Sequence, residues 1–457
     1  MIQDKTMLKN KFMIALVFSV LCTAGLCMGE VVYVDANAPG TDNGESWVDA
    51  YTDLQSALGD VVSGDEIWVA AGVYKPGIST TNSFIIVDGV DMYGGFAGDE
   101  VNLDDRDWLA NKTCLSGEMV GTRVRVVYAA VITNSAIIDG FEISSANWGI
   151  WVSGTNLSMA NCTVRNNNYD GIYATGDSTV DITDCAIDNN NKHGIFCNGL
   201  VDMTITGSIV GDNGQDGINC YGQSVVIKNN WIHHNGQDGI YCSMPDSSGI
   251  VQNNTIVYNG GSGIHNNDGY VFYTPTISNC IFWGNDDEDL YYCEATYSCI
   301  EDPDTGDGVI HSDPCFASSN PELRDFHLSA DSNCIDVGDP YDVYTGQVDI
   351  DGQMRVAHGG SGYGRIVDIG GDELAGPDID TLADINVDGI VDLLDYAAFG
   401  PTWDTLSNDP NWDGRCNLEV DDVIDTADYV IFINEWLWEA SWRASEEVFD
   451  FAGHWME

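Results

Sequence analysis

The chain has 457 residues, with 16 lysines and arginines against 72 aspartates and glutamates, a formal charge of −56. That is enough for one large core and a small extra domain. So acidic a surface repels nucleic acid and anionic membrane, which removes both as partners; a solvated exported surface and abundant Ca²⁺ ligation both fit it.

Residues 1–29 read as a secretory signal peptide. Lys5, Lys9 and Lys11 precede an apolar run from Phe12 to Leu26, and Ala24, Gly25 and Gly29 supply small residues for cleavage. The run is short for a bilayer and no other stretch is longer, so the expectation is an extracellular or cell-surface protein with no membrane span. Residues 30–375 follow as the main domain, with an N-terminal cap over about 30–65. Val31 to Asp35 has a strand pattern. Trp47, Tyr51, Leu54 and Leu58 have helical spacing, which predicts a helix from Trp47 to Leu58 closing the open end of a stack that begins at Asp65–Ala70.

A Gly-Ile phrase then returns six times, at Gly149, Gly171, Gly194, Gly217, Gly239 and Gly263, spaced 22, 23, 23, 22 and 24 residues apart. A fixed period of this length marks a solenoid. Between the glycines run matching apolar columns: Val164, Ile187, Val210, Ile232 and Ile256, and the pairs Leu157/Met159, Val180/Ile182, Met203/Ile205 and Val225/Ile227. Each turn therefore holds three short alternating runs, none long enough for an amphipathic helix. This predicts an all-β right-handed parallel β-helix with three strands per coil. Asn167, Asn190, Asn213, Asn235 and Asn259 stand at one position of every turn, where stacked amides can bond one another. The glycine is expected to supply a corner conformation that other residues resist.

Cys197, Cys220 and Cys242 occupy equivalent inward positions, as do Cys162 and Cys185. Buried stacked thiols are expected, although disulfides between coils are geometrically open. Without Cys-x-x-Cys pairs or Cys/His clusters, these thiols are not expected to hold metal. Outward on the strand that follows each glycine stand Trp151, Tyr173, Phe196 and Tyr241, with Asn219 and His265 in the same column. Aromatic faces pack on sugar rings, so the column could carry an extended polysaccharide; exposed aromatics also simply favour strands. Just before the glycines come Asp170, His193, Asp216 and Asp238, where stacked acids would repel, raising a pKa or recruiting a cation. They are candidate catalytic residues, as are Arg165 and Asp188 in a second outward column, although Asp-Gly is also an ordinary turn dipeptide. His233-His234 in that second column reads as a solvated turn.

Gly72-Val73-Tyr74, Gly94 to Gly98, Arg106-Asp107-Trp108, Thr113 to Gly117 and Ile138-Asp139-Gly140-Phe141 resemble the secreted pectate-lyase-like β-helix proteins of environmental bacteria. So does the closing stretch: Asp325-Phe326-His327-Leu328, Cys334 to Gly338, Asp349-Ile350-Asp351-Gly352 and Val367 to Gly370. The resemblance implies the fold over Val31–Glu373 and a link to polysaccharide, and no catalytic motif of that family is recognisable. Taken alone, Asp349-x-Asp351-Gly352 reads as a turn.

After a linker at 376–382, residues 383–440 carry a duplicated pattern, with 441–457 as a tail. Asp384, Asn386, Asp388, Ile390, Asp392 and Asp395 fit the ligand positions of a twelve-residue Ca²⁺ loop, with Gly389 at its sharp turn. A copy 33 residues on places Asn417, Glu419, Asp421, Val423, Asp425 and Asp428 likewise, with Asp422 where glycine is wanted. Tyr396/Tyr429, Phe399/Phe432 and Trp403/Trp436 keep the same register. Two EF-hand-type loops, each followed by a helix, look like a dockerin type I module, which implies docking onto a cohesin-like protein. Three functions fit these residues: a secreted glycan-binding protein tethered through its Ca²⁺ module, a polysaccharide lyase or glycoside hydrolase using the same groove, and a structural or adhesive surface protein.

Overall fold

The computed structural model describes residues 29–374, apart from 120, 131, 222–223, 244–248, 268–273, 343, 345–346 and 356–366. Beyond them it describes only Tyr396, Phe399, Thr405–Leu406, Cys416, Val423–Ile424, Tyr429 and Phe432. The chain winds into a right-handed parallel β-helix walled by three parallel sheets of eleven, ten and nine strands. In one coil, Ser178–Thr183 lies in the first sheet, Ala186–Asp188 in the second and Ile195–Asn198 in the third. Two strands of the third sheet, at Phe84–Ile85 and Arg125–Ala130, precede the first Gly-Ile phrase.

Strand alternation carries the apolar columns inward. Ile172 pairs with Ile195, Ile195 with Ile218 and Ile218 with Ile240, all wholly buried. Val164, Ile187, Val210, Ile232 and Ile256 do the same in the second sheet. Cys197 and Cys220 are buried thiols in register with each other and with Cys242, filling space under the third sheet.

The asparagine ladder forms and runs one coil further than expected, to Asn285. From Asn167 through Asn190, Asn213, Asn235 and Asn259 to Asn285, each side-chain Nδ2 donates to the next Oδ1 at 3.0 Å. The accepting oxygen also takes the backbone N–H of the previous coil's asparagine, as Asn190 Oδ1 does from Asn167 at 3.2 Å. An orphaned buried amide costs about 1–3 kcal/mol, so the ladder penalises any slip between coils. The repeat glycines serve this ladder by being small, not by adopting a special corner conformation. Gly194 has an ordinary φ, and a Cβ there would lie 2.7 Å from both Asn213 Nδ2 and the Gly217 carbonyl oxygen. The left-handed corner residues are others, chiefly Asn161, Asp184, Asn229 and Asn253 on one edge and Asn166, Asn189 and Asp212 on the next. Asparagine and aspartate tolerate that conformation better than other non-glycine residues.

A second buried column was hidden by its mixed composition. Cys162, Cys185, Ser208, Asn230 and Asn254 occupy one position: Cys185 N–H donates to Ser208 Oγ at 3.1 Å, Ser208 N–H to Asn230 Oδ1 at 2.8 Å, and Asn230 Nδ2 to Asn254 Oδ1 at 3.0 Å. The two thiols thus stand where later coils carry hydrogen-bonding groups.

The N-terminal helix is shorter than its sequence pattern. It spans Leu54–Asp60, begins at the Asp53 N-cap, and buries Leu54, Ala57 and Leu58 over the first coil. Trp47 instead packs outside the first sheet between Tyr33 and Phe96, its indole N–H donating to the Glu100 carbonyl at 2.9 Å. Val31–Val34 pairs with Glu66–Ala70, so the stack begins at Val31.

After the last coil, the closing segment folds back over the outer face of the second sheet. Phe326, Leu328, Cys334 and Ile369 form a separate apolar cluster with Trp231, Val257, Ile281 and Cys299 of that face. Gly370 N–H donates to the Asn279 carbonyl at 2.9 Å, Gly371 N–H to Thr255 Oγ1 at 2.9 Å, and Arg324 clamps Asp212 through Nε at 2.8 Å. Inside the segment, Arg355 and Glu373 are fully buried 3.8 Å apart, and Asp349 accepts the N–H groups of Asp351, Gln353 and Glu373.

Among the described C-terminal residues, Thr405–Leu406 pairs antiparallel with Val423–Ile424. Tyr396, Phe399, Tyr429 and Phe432 are helical. Phe399 stacks on Phe432 at 5.4 Å, while Tyr396–Phe432 and Phe399–Tyr429 are both 6.1 Å apart.

Candidate functional site

The outward aromatics of the third sheet lie in one vertical column, as alternation requires. Trp151 pairs with Tyr173, Tyr173 with Phe196, Phe196 with Asn219, Asn219 with Tyr241 and Tyr241 with His265. Tyr128 extends it below and Tyr291 above, two members that lie outside the repeated phrase and are found only through strand register. Ring centroids are 4.8 Å apart for Trp151–Tyr173, 5.5 Å for Tyr173–Phe196, 4.9 Å for Tyr241–His265 and 4.4 Å for His265–Tyr291. At Asn219 the ladder would break, and the neighbouring outward residue Tyr221 spans the gap, 6.4 Å from Phe196 and 5.9 Å from Tyr241. Each ring of the column is half-buried by its neighbours and offers the rest of its surface to solvent, and Tyr221 is exposed.

Beside this column, the turn entering the third sheet stacks Trp148, Asp170, His193, Asp216 and Asp238. The carboxylates cap the next coil: Asp170 Oδ1 accepts the His193 N–H at 3.3 Å, Asp216 Oδ1 the Asp238 N–H at 3.1 Å, and Asp238 Oδ1 the Ser262 N–H at 2.7 Å. Their other oxygens face side chains. Trp148 Nε1–H donates to Asp170 Oδ2 at 3.0 Å and Asn219 Nδ2–H to Asp216 Oδ2 at 2.6 Å. His193 Nδ1 stands 3.2 Å from Asp216 and His265 Nδ1 3.3 Å from Asp238. The His193 contact is an ion-pair distance without hydrogen-bond alignment.

Burial raises the Asp170 carboxyl above its usual range, against the pull of His193 and Lys192. Burial likewise raises Asp238, and the Asp216 charge one coil below adds to it. The structural duty of these acids, turn capping, and their proximity to imidazoles therefore coexist in one strip.

Arg165 and Asp188 are not part of it. They pair in the second sheet, where Arg165 reaches Glu142 at 3.0 Å and Asp188 accepts from Asn189 Nδ2 at 2.5 Å. Further along that face, His233 is buried against Phe326 rather than solvated; burial and the His234 ring beside it push its pKa down to about 3. Only the folding-back of a segment some ninety residues later explains this, and no local pattern signals it.

The predicted Ca²⁺ ligands Asp384, Asn386, Asp388, Ile390, Asp392, Asp395, Asn417, Glu419, Asp421, Asp425 and Asp428 lie outside the described residues. Val423 is described only as part of a short strand. Among the described residues, no helix is long and apolar enough to cross a membrane.

The family described as "Right handed beta helix region" matches residues 148–302, which holds the repeats but less than half the chain. A solved pectate lyase, Pel9A, is similar over 77% of this chain and 98% of its own, with 16% identity and a TM-score of 0.51. The A-module of the Azotobacter vinelandii mannuronan C-5 epimerase AlgE4 is 16% identical over 53% of this chain and 74% of its own, with a TM-score of 0.36. The periplasmic alginate epimerase AlgG is 15% identical over 62% and 76%, with a TM-score of 0.33. No curated protein matches the chain. The chain is thus a right-handed parallel β-helix with a pectate lyase among its structural neighbours. The pectate lyase match speaks for a shared fold, and the weaker two add nothing to it.

Proposed function

We propose that this is a secreted, polysaccharide-directed protein that binds an extended glycan along the third sheet and is tethered through a Ca²⁺-dependent dockerin-like module to a cohesin-like partner. The observation that carries glycan binding is the aromatic column of Trp151, Tyr173, Phe196 and Tyr241, bridged by Tyr221 at the coil where Asn219 interrupts it, with polar turn residues alongside. Flat rings stacked on a rigid wall match the C–H faces of successive sugars at little entropic cost. Retention on pectin, alginate and xylan gels tests it. Wild-type retention with loss in Phe196→Ala and Tyr241→Ala is expected, and equal elution of all three proteins on every gel rejects the reading.

The tether rests on the duplicated Ca²⁺-loop pattern. The cross-paired contacts of Tyr396 with Phe432 and Phe399 with Tyr429 suit a pseudo-two-fold arrangement of the duplicated halves. When bound, Ca²⁺ would order the two loops by drawing their carboxylates together. Chelation is expected to abolish part of the helical circular dichroism while the β signal persists; an unchanged helical signal removes the tether.

A second reading, catalysis in the same strip, is favoured by the raised Asp170 and Asp238 carboxyls beside His193 and His265. Carboxyl and imidazole groups held in contact are the groups that general acid–base catalysis uses. Release of unsaturated uronates or new reducing ends, abolished in Asp170→Asn, would establish it.

A further inference from the structure

Outside the aromatic strip, three side chains of the closing segment converge although they lie far apart in sequence. His327, Asp351 and Asp372 bring their ligand atoms within 4.8 Å of one another. The imidazole is already oriented for this. Its Nδ1 is engaged by Asp325 Oδ1 at 2.5 Å, which turns Nε2 toward Asp351 Oδ2 at 2.8 Å. Asp372 is buried at 4% exposure, held by the Leu328 N–H at 2.6 Å. A carboxylate on one ring nitrogen, with two further carboxylates converging on the other, is how proteins fix a metal-binding histidine.

Two further observations point to an occupant. Asp351 also lines a cleft of about 340 Å³, with Asn161 and Asp184 among its other walls, so solvent and small molecules can reach the cluster. The Trp231 indole borders it too: the ring meets His327 edge-on at 4.9 Å, and a Cβ on Gly371, one residue from Asp372, would lie 3.1 Å from its Nε1. Trp231 is buried, at 6% exposure, and its indole N–H has no acceptor, a deficit that a metal-bound water would remove.

We propose that His327 Nε2, Asp351 and Asp372 bind one divalent first-row transition ion, with Asp325 orienting the imidazole. Binding displaces the proton between Nε2 and Asp351 and releases it to solvent. One imidazole with two carboxylates suits Zn²⁺, Mn²⁺ or Co²⁺; Ca²⁺ takes six to eight oxygens and has no use for the ring nitrogen. The site shares no residue with the proposed Ca²⁺ loops or with the glycan strip.

The test is titration of chelator-stripped, full-length protein with Co²⁺ in saturating Ca²⁺, read by visible d–d absorption and equilibrium dialysis. One equivalent is expected to bind. Affinity should fall at least about tenfold in Asp351→Asn and His327→Gln and about 10–100-fold in Asp325→Asn, and stay unchanged in His311→Ala. Asp351 is exposed, so its variant decides the matter even if His327→Gln misfolds. Wild-type affinity in Asp351→Asn, or equal loss in His311→Ala, overturns the proposal.

Discussion

The second and third sheets wall the same solenoid with the same alternation, yet their outer faces end differently. On the third, Trp151, Tyr173, Phe196 and Tyr241 stack on one another and stay half-open to solvent. On the second, Trp231, Val257 and Ile281 are sealed beneath Phe326, Leu328 and Ile369. The inner faces are interchangeable, because each coil meets a near copy of itself. Among the described residues, the outer faces diverge because only one of them is met by the returning chain. An outward aromatic is therefore a binding candidate on one wall and a core residue on the other.

The comparison breaks most sharply at Phe326. Phe326→Ala removes the ring that touches Trp231, His233 and Tyr258, and should cost about 3–5 kcal/mol of closing-segment stability. Denaturant melts followed by tryptophan emission should show Trp231 turning solvent-like while the β signal of the coils survives.

Acid should also distinguish the covered face. His233 titrates near 3 when buried and near 6.5 when unfolded, so the unfolded chain takes up the proton first. Stability from this group is complete above pH 6.5 and falls as pH drops, by about 2 kcal/mol between pH 7 and 5. His234, Asp212 and Arg324 surround it, and His233→Leu should flatten that acid limb in melts across pH. Asp368 works in the opposite sense. Burial lifts it to about 7, so its contribution is present below pH 3.8 and is lost as pH rises from there through 7, and Asp368→Asn should reduce that loss.

The smallest stability effect belongs to the open face. Phe196→Ala loses stacking on Tyr173 and should cost only about 1 kcal/mol while removing glycan retention. A larger loss of stability with unchanged retention would mean that the column is a structural spine.

Vertical neighbours were legible because a fixed period makes residues 22–24 apart equivalent. The Ile172–Ile195–Ile218 stack, the asparagine ladder and the aromatic register all follow from counting. Counting failed where the residue type changed along a column, as from Cys185 to Ser208 to Asn230, and where helical spacing at Trp47 served an outward contact instead. The reason for the repeat glycine is likewise invisible in sequence, which cannot distinguish a residue chosen for its torsion from one chosen for the space it leaves.

By itself, then, the sequence determined the coil, its interior and which residues share a column, because those depend on short-range alternation repeated at constant period. Tertiary structure alone decided which outer face is covered, that His233 is dry, and that His327, Asp351 and Asp372 meet. Those outcomes depend on where a non-repeating segment docks, which is set by the fit of one particular apolar and charged surface to another and leaves no period to read.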